Sequence, residues 1–291
     1  MAWILFTFFA AFCQAWRNAL QSTLSSTLNV TGVTLSRFLY ASPLALVYLL
    51  VLYQVEKAPL PALSTQSVGF VVGAAVMQII ATGLMVVLFK QKNFAIGAGL
   101  AKCEAPVAAL LGVLFFGTTL TYWGWLGVFI GGVAVVILSS PGKLNQLSLK
   151  TVLIGLACSS AFALTSLWVR EASLSLHLPF PHSAAWVLFS VITLQTLLLT
   201  GYLLVRDRAT LGAMFVHRKR VMLTSLMSFL GSLGWFSAMS LQSVPYVKTL
   251  GQVEIFFMML ISALWLKEKA RRKDMFALCL VGIAAVLVMF H

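Results

Sequence analysis

Long runs without a charged residue constrain this chain more than any other feature of its sequence. Two of the longest extend from Ala58 to Phe89 and from Ala105 to Gly142. A bilayer core about 30 Å thick needs about 20 apolar residues per helix, so the longest runs hold more than one crossing. Backbone in lipid must satisfy its own hydrogen bonds, and continuous apolar runs favour helices over alternating strands. The sequence therefore predicts an all-α, polytopic membrane protein.

Turn-forming residues divide these runs into ten predicted transmembrane helices. Proline and glycine mark several breaks, as at Pro59, Pro141-Gly142 and Pro245. The predicted spans lie near residues 2–22, 31–53, 68–89, 94–116, 121–139, 150–172, 183–205, 220–241, 245–266 and 274–290. Only 9% of residues are charged, against about 25% in soluble domains, which excludes an ordinary soluble enzyme. The first span has no basic start and no small-residue cleavage site, so we expect a retained helix.

The two halves of the sequence resemble each other at an offset of 150 residues. Glu104 aligns with Glu254 and Gly132 with Gly282, and Trp16 resembles Trp168 after a small shift. We therefore expect two five-helix repeats, residues 1–140 and 150–291. Because five is odd, the repeats would enter the membrane with opposite orientations, as in inverted-repeat transporters.

Basic residues predict which side of the membrane each connection faces. The chain has 20 Lys+Arg and 7 Asp+Glu, a formal net charge of +13. Most of these bases fall in connections on one predicted face, including Lys267–Lys273, whose repeat counterpart is uncharged. The positive-inside rule makes that face cytoplasmic, with both termini on the non-cytoplasmic side of a bacterial inner membrane. Bases scattered over short connections do not form one binding surface, so we exclude nucleic acid as a partner.

The fourth and fifth spans carry the motif LAKCEAP at residues 100–106, followed by Gly117 and by glycines from Gly127 to Gly132. With Glu254 and Leu266-Lys267-Glu268 in the second half, this pattern resembles the EamA-like family of the drug/metabolite transporter superfamily. Thr118 stands where that family has a loop glutamate. The resemblance implies ten helices in two inverted halves. It also implies secondary transport of small organic solutes by alternating access, often export.

Charged and polar residues inside the predicted spans are the candidate solute-binding or coupling residues. Glu104 and Glu254 lie about ten residues into their spans, roughly 15 Å deep, near the level where inverted-repeat transporters bind substrate. Such carboxylates could exchange a proton or bind an ammonium group, or they could pair with buried bases. Lys102 points away from Glu104 on its own helix, which makes Glu254 its candidate partner. The remaining candidates are Lys248, Gln252, Gln14, Arg17, Gln78, Trp235 and Tyr246.

Several of these candidates leave two interpretations open. Gln14 and Arg17 belong to a polar stripe at helical spacing, which has to face protein or water unless Arg17 snorkels to the membrane surface. Arg37 and Lys248 have similarly shallow predicted positions. Trp235 and Tyr246 could stack on an aromatic or cationic solute, or they could serve packing.

We expect a monomeric inner-membrane secondary transporter that moves an amino acid or related metabolite, in the direction of export. Its expected partners are the solute, membrane lipid and a coupling proton. One alternative is proton-coupled efflux of cationic drugs or quaternary amines. Another is a flippase for lipids or lipid-linked substrates, with a lateral opening lined by Arg17 and Arg37. No nucleotide-binding, metal-binding or catalytic motif occurs in the sequence, so we expect neither an enzyme nor a cofactor or metal.

Overall fold

The computed structural model describes residues 1–90, 103–139, 149–261 and 272–289, which are mostly helical and contain no strand. The helices are α1 (Ala2–Leu24), α2 (Val30–Ser36), α3 (Ala41–Val55), α4 (Thr65–Lys90), α5 (Glu104–Phe115), α6 (Tyr122–Ser139), α7 (Leu149–Ser175), α8 (His182–Arg206), α9 (Arg208–Val216), α10 (Arg218–Leu241), α11 (Val244–Gly251), α12 (Glu254–Ile261) and α13 (Arg272–Met289). Most helix ends lie within a few residues of the predicted spans.

Six helical stretches in the described ranges are long and apolar enough to cross a membrane. They are α2 with α3, α4, α7, α8, α10, and α11 with α12. On α3, Val47, Leu50 and Val51 are exposed, whereas Arg17 and Arg37 are buried in the interior. Apolar side chains outside and polar ones inside suit a lipid solvent, because lipid offers polar groups no hydrogen bonds. These are the features of a helical membrane protein.

Small residues let the main helix pairs approach closely. The most extensive contacts join α1 to α10, α4 to α7, and α6 to α13, and α3 packs on α8. A Cβ atom on Gly234 of α10 would lie 2.8 Å from the carbonyl oxygen of Phe6 in α1. One on Gly73 of α4 would lie 2.7 Å from the Trp168 ring of α7. Glycine at these positions permits the close crossing that packs membrane helices.

The short helix α9, which the predicted spans do not include, is joined to α2 through its cap. Asn29 caps α2 by accepting from the Gly32 N–H at 2.7 Å, and Asp207 caps α9 by accepting from the Thr210 N–H at 3.1 Å. The Asn29 amide also donates to Asp207 Oδ2 at 2.7 Å. Hydrogen bonds from the side chain and backbone of Thr210 lower the pKa of Asp207. Each cap therefore helps to hold the other.

Candidate functional site

A polar cavity lies where α1, α4, α5, α7, α10, α11 and α12 meet, beside the turn that carries Arg37. Its volume of about 50 Å³ has room for a few water molecules. The polar side chains that line it are those of Gln14, Arg17, Asn18, Arg37, Gln78, Glu104, Thr165, Ser166, Ser232, Trp235 and Lys248. Methionine and phenylalanine side chains, such as Met85 and Phe162, complete the wall. Both charge signs are thus present at one small internal site.

One group of contacts forms around Glu104, the first residue of α5, and we call it the Glu104 cluster: Glu104, Ser166, Trp235 and Lys248. Lys248 Nζ lies 2.8 Å from Glu104 Oε1, and the Ser166 hydroxyl donates to the same oxygen at 2.9 Å. The Lys248 ammonium also lies 4.4 Å from the centroid of the Trp235 ring, as a cation–π contact. The Glu104 and Lys248 side chains are 15% and 11% exposed, so water from the cavity can contact both.

A second group, the Glu254 cluster, contains Glu254, Gln14, Asn18 and Arg17. The Gln14 amide donates to Glu254 Oε2, and the Asn18 amide donates to Glu254 Oε1 at 2.7 Å. Asn18 Oδ1 in turn accepts from Arg17 Nη2 at 2.9 Å. Glu254 is only 1% exposed and is not among the residues lining the cavity. The polar stripe of α1 therefore faces protein, and Arg17 does not snorkel.

Trp235 connects the two clusters. Its indole N–H donates to Gln14 Oε1 at 2.9 Å, while its ring makes the cation–π contact with the Lys248 ammonium. The ring also packs against Gly251, where a Cβ atom would lie 2.3 Å from it. A side chain at position 251 would therefore displace Trp235 from one or both of these contacts.

The Arg37 side chain is buried in the interior of the protein. The helical stretch breaks between α2 and α3, and the Arg37 side chain at this break is 2% exposed. Its Nη1 donates to the Thr82 hydroxyl on α4 at 2.8 Å. Gln78, also on α4, lines the cavity and accepts from Gln195 Nε2 at 2.7 Å. Sequence reasoning missed Gln195, because a single amide within an apolar helix gives no periodic signal.

Two predicted candidates are placed away from the cavity, and a third lies outside the described residues. Tyr246 is buried away from the cavity lining, with its hydroxyl accepting from the Thr121 N–H at 3.0 Å. Gln252 also lies off the lining and packs beside Gly131 of α6. Lys102 lies outside the described residues, as does the Lys267–Glu268 pair. Lys248, by contrast, lines the cavity and pairs with Glu104.

The helix that carries Glu254 is interrupted, which corrects the expectation of a continuous span. Residues 252 and 253 form a turn between α11 and α12. There the N–H groups of Gln252 and Val253 donate to carbonyls three residues back, at 3.2 and 3.1 Å. Short 3₁₀ segments within helices often mark hinges. Glu254 consequently begins α12, where the positive end of the helix dipole favours a carboxylate.

Comparisons with known proteins inform the fold only. No protein-family model matches the chain, and no curated protein matches it. A protein of known crystal structure superposes with a TM-score of 0.73 and 14% sequence identity, over 100% of this chain and 96% of the other. At that identity the similarity shows a shared fold.

Proposed function

We propose that this protein is a secondary transporter of the EamA-like type, which moves a small organic solute through the polar cavity by alternating access. The observation that carries the proposal is the Glu104–Lys248 ion pair, held beside a small polar cavity among apolar helices. Ionisable residues in a membrane interior are costly and typically serve a solute or ion pathway. Helices that contribute to the pair, α5 and α11, belong to different proposed halves, so relative motion of the halves would separate Glu104 from Lys248.

The contact pattern supports two inverted five-helix repeats. Under the proposed correspondence α4 matches α10 and α7 matches α1, so the α4–α7 pair matches the α10–α1 pair, and both are extensive. The carboxylates follow the same relation. Glu104 accepts from Ser166 of α7, and Glu254 accepts from Gln14 of α1, its counterpart after the small shift. Two-fold related contacts of this kind are expected when repeats pack with opposite orientations.

The solute of this proposal is an amino acid or related metabolite, moved by export across a bacterial inner membrane with both termini outside. A zwitterion suits a site with carboxylate, ammonium and guanidinium groups side by side. The cavity of about 50 Å³ is too small for such a solute, so this conformation would be one without bound solute. The flippase alternative is disfavoured, because a lateral opening lined by Arg17 and Arg37 would expose their side chains, and both are buried.

Uptake into proteoliposomes tests the proposal. The purified protein is reconstituted with unlabelled amino acids inside, and counterflow of radiolabelled amino acids is measured with and without a pH gradient. We expect saturable counterflow, lowered about tenfold or more in Glu104→Gln because the largely buried Lys248 ammonium loses its neutralising charge. Glu56→Gln is the matched control, since Glu56 is exposed at the end of α3. Transport of quaternary amines but no amino acid would favour the efflux alternative, and no transport of either would contradict the proposal.

A further inference from the structure

Two arginines of the cavity have hydrogen-bond donors that none of the described residues satisfies. Arg17 and Arg37 are 1% and 2% exposed, and both line the cavity. In the part of the chain that the structure describes, Arg17 Nη1 and Arg37 Nε make no hydrogen bond. Buried polar groups are nearly always paired, and an unpaired charged donor is especially unfavourable. These two donors are therefore suited to a ligand that enters the cavity.

The charges around the cavity favour an anionic group on that ligand. Among the described residues, Arg17, Arg37 and Lys248 face Glu104 and Glu254, which leaves one positive charge in excess. Lys248 is already neutralised by Glu104 at 2.8 Å. Arg17 and Arg37 also lie within electrostatic range of each other, and their like charges repel. An anion between the two guanidinium groups would remove that repulsion and balance the excess.

A carboxylate has the charge and the acceptor oxygens that suit these donors. A guanidinium group offers planar N–H donors that match carboxylate oxygens, and such charge-assisted hydrogen bonds are the strong ones. The partners already present leave room for this role. Arg17 Nη2 is fixed on Asn18, and Arg37 Nη1 on Thr82, so both side chains are held in place while Nη1 of one and Nε of the other stay available.

We infer that Arg17 and Arg37 together bind the carboxylate of the solute, which makes a carboxylic acid the obligatory feature of the substrates. This inference rests on the proposed function for the identity of the ligand as a transported solute. It goes beyond that function in two ways. It excludes purely cationic substrates, and it assigns a solute-binding role to Arg37, which the sequence pattern placed near the membrane surface. Both arginines bind the solute without reacting with it.

Ligand binding by the full-length protein in detergent tests the inference without transport. The probes are glycine, L-threonine, L-leucine and L-phenylalanine, each compared with its amide, its decarboxylated amine and its deaminated acid. Affinity is measured by isothermal titration and by the shift in thermal midpoint. We expect binding among the carboxylates and none among the matched amides and amines. Arg17→Gln and Arg37→Gln should each weaken that binding about tenfold or more, because a charged hydrogen bond is lost.

The controls separate binding from folding. Arg218→Gln changes an arginine that lies beside Phe215 and away from the cavity, and it should bind as the unchanged protein does. If the glutamine variants fail to fold, Arg17→Lys and Arg37→Lys are measured instead. They keep the positive charge, and we expect them to bind the carboxylates at an intermediate level. Equal binding of amides or amines, undiminished binding in the arginine variants, or no binding of any carboxylate would overturn the inference.

The same protein in proteoliposomes distinguishes this inference from the proposed function. Arginine-dependent binding of carboxylates without any counterflow would leave the carboxylate site standing and remove the transport proposal. Counterflow of amines or amides that continues in Arg17→Gln would support the transport proposal and remove the carboxylate site.

Discussion

Glu104 and Glu254 correspond to each other in the two proposed repeats, yet their surroundings differ. Each begins a helix and each accepts a hydrogen bond from the helix packed beside it, α7 or α1. Glu104 is partly exposed to the cavity and pairs with an ammonium group, whereas Glu254 is 1% exposed and is held by two side-chain amides. Equivalent carboxylates can therefore serve different purposes. We expect the Glu104 cluster to change during transport and the Glu254 cluster to fix α1 and orient Arg17.

The largest expected effect is a difference in protein stability between variants of the two carboxylates. Glu254→Ala leaves the Gln14 and Asn18 amides without their acceptor in a buried site, and it removes negative charge close to Arg17. We expect it to lower the free energy of unfolding by about 3–5 kcal/mol. Glu104→Ala should cost less, because cavity water can solvate Lys248. Unfolding in detergent measures both, and a larger loss in Glu104→Ala would contradict the division of roles.

A methyl group at Gly251 should disturb the connection between the clusters. Gly251→Ala places a Cβ atom 2.3 Å from the Trp235 ring, so the ring must leave Lys248, Gln14 or both. Overpacking of this kind costs about 1–3 kcal/mol. The matched control is Gly83→Ala, because a Cβ atom at Gly83 would meet nothing within 4 Å. Equal stability of the two variants in thermal unfolding would show that Trp235 does not connect the clusters.

A double-mutant cycle tests whether the ion pair belongs to the Glu104 cluster alone. Unfolding free energies of Glu104→Gln, Lys248→Met and the double variant should give a coupling of roughly 1–2 kcal/mol, as for residues in direct contact. The cycle of Glu254→Gln with Lys248→Met provides the comparison, and we expect a smaller coupling there. Coupling of the same size in both cycles would mean that the two clusters act as one.

The smallest expected effect lies outside both clusters, in the contact between Asn29 and Asp207. Hydrogen bonds from Thr210 lower the pKa of Asp207 in the folded protein, so its carboxylate stabilises the fold above the unfolded value of about 3.9. That contribution is lost as the pH falls through the lower folded value. The thermal midpoint of the unchanged protein should therefore approach that of Asp207→Asn between pH 5 and pH 3. A constant difference over this range would contradict the assignment.

Periodicity and repetition predicted much of this arrangement. The stripe of Gln14, Arg17 and Asn18 indicated an inward face of α1, because polar groups in lipid must be covered. The repeat identified Glu104 and Glu254 as related positions. Long apolar runs gave helix positions to within a few residues, since hydrophobic length is set by the thickness of the bilayer.

The partners of these residues could not be predicted in the same way. Lys248 pairs with Glu104, from another helix, and only the packing of α11 against α5 brings them together. The break at residues 252 and 253 contains no proline that would have indicated it. Arg37 seemed close to a span end by counting residues, but the turn after α2 leaves its side chain inside.

Access to the cavity from each side of the membrane tests the central claim most directly. A variant without the four native cysteines carries Ser232→Cys, on the cavity wall, and is labelled with a membrane-impermeant thiol reagent in right-side-out and inside-out vesicles. Ser26→Cys, exposed after α1, is the control that should react from one side only. Alternating access predicts that Cys at position 232 reacts from both sides, with proportions that change when amino acid is added. Labelling from one side only, unaffected by any solute, would contradict it.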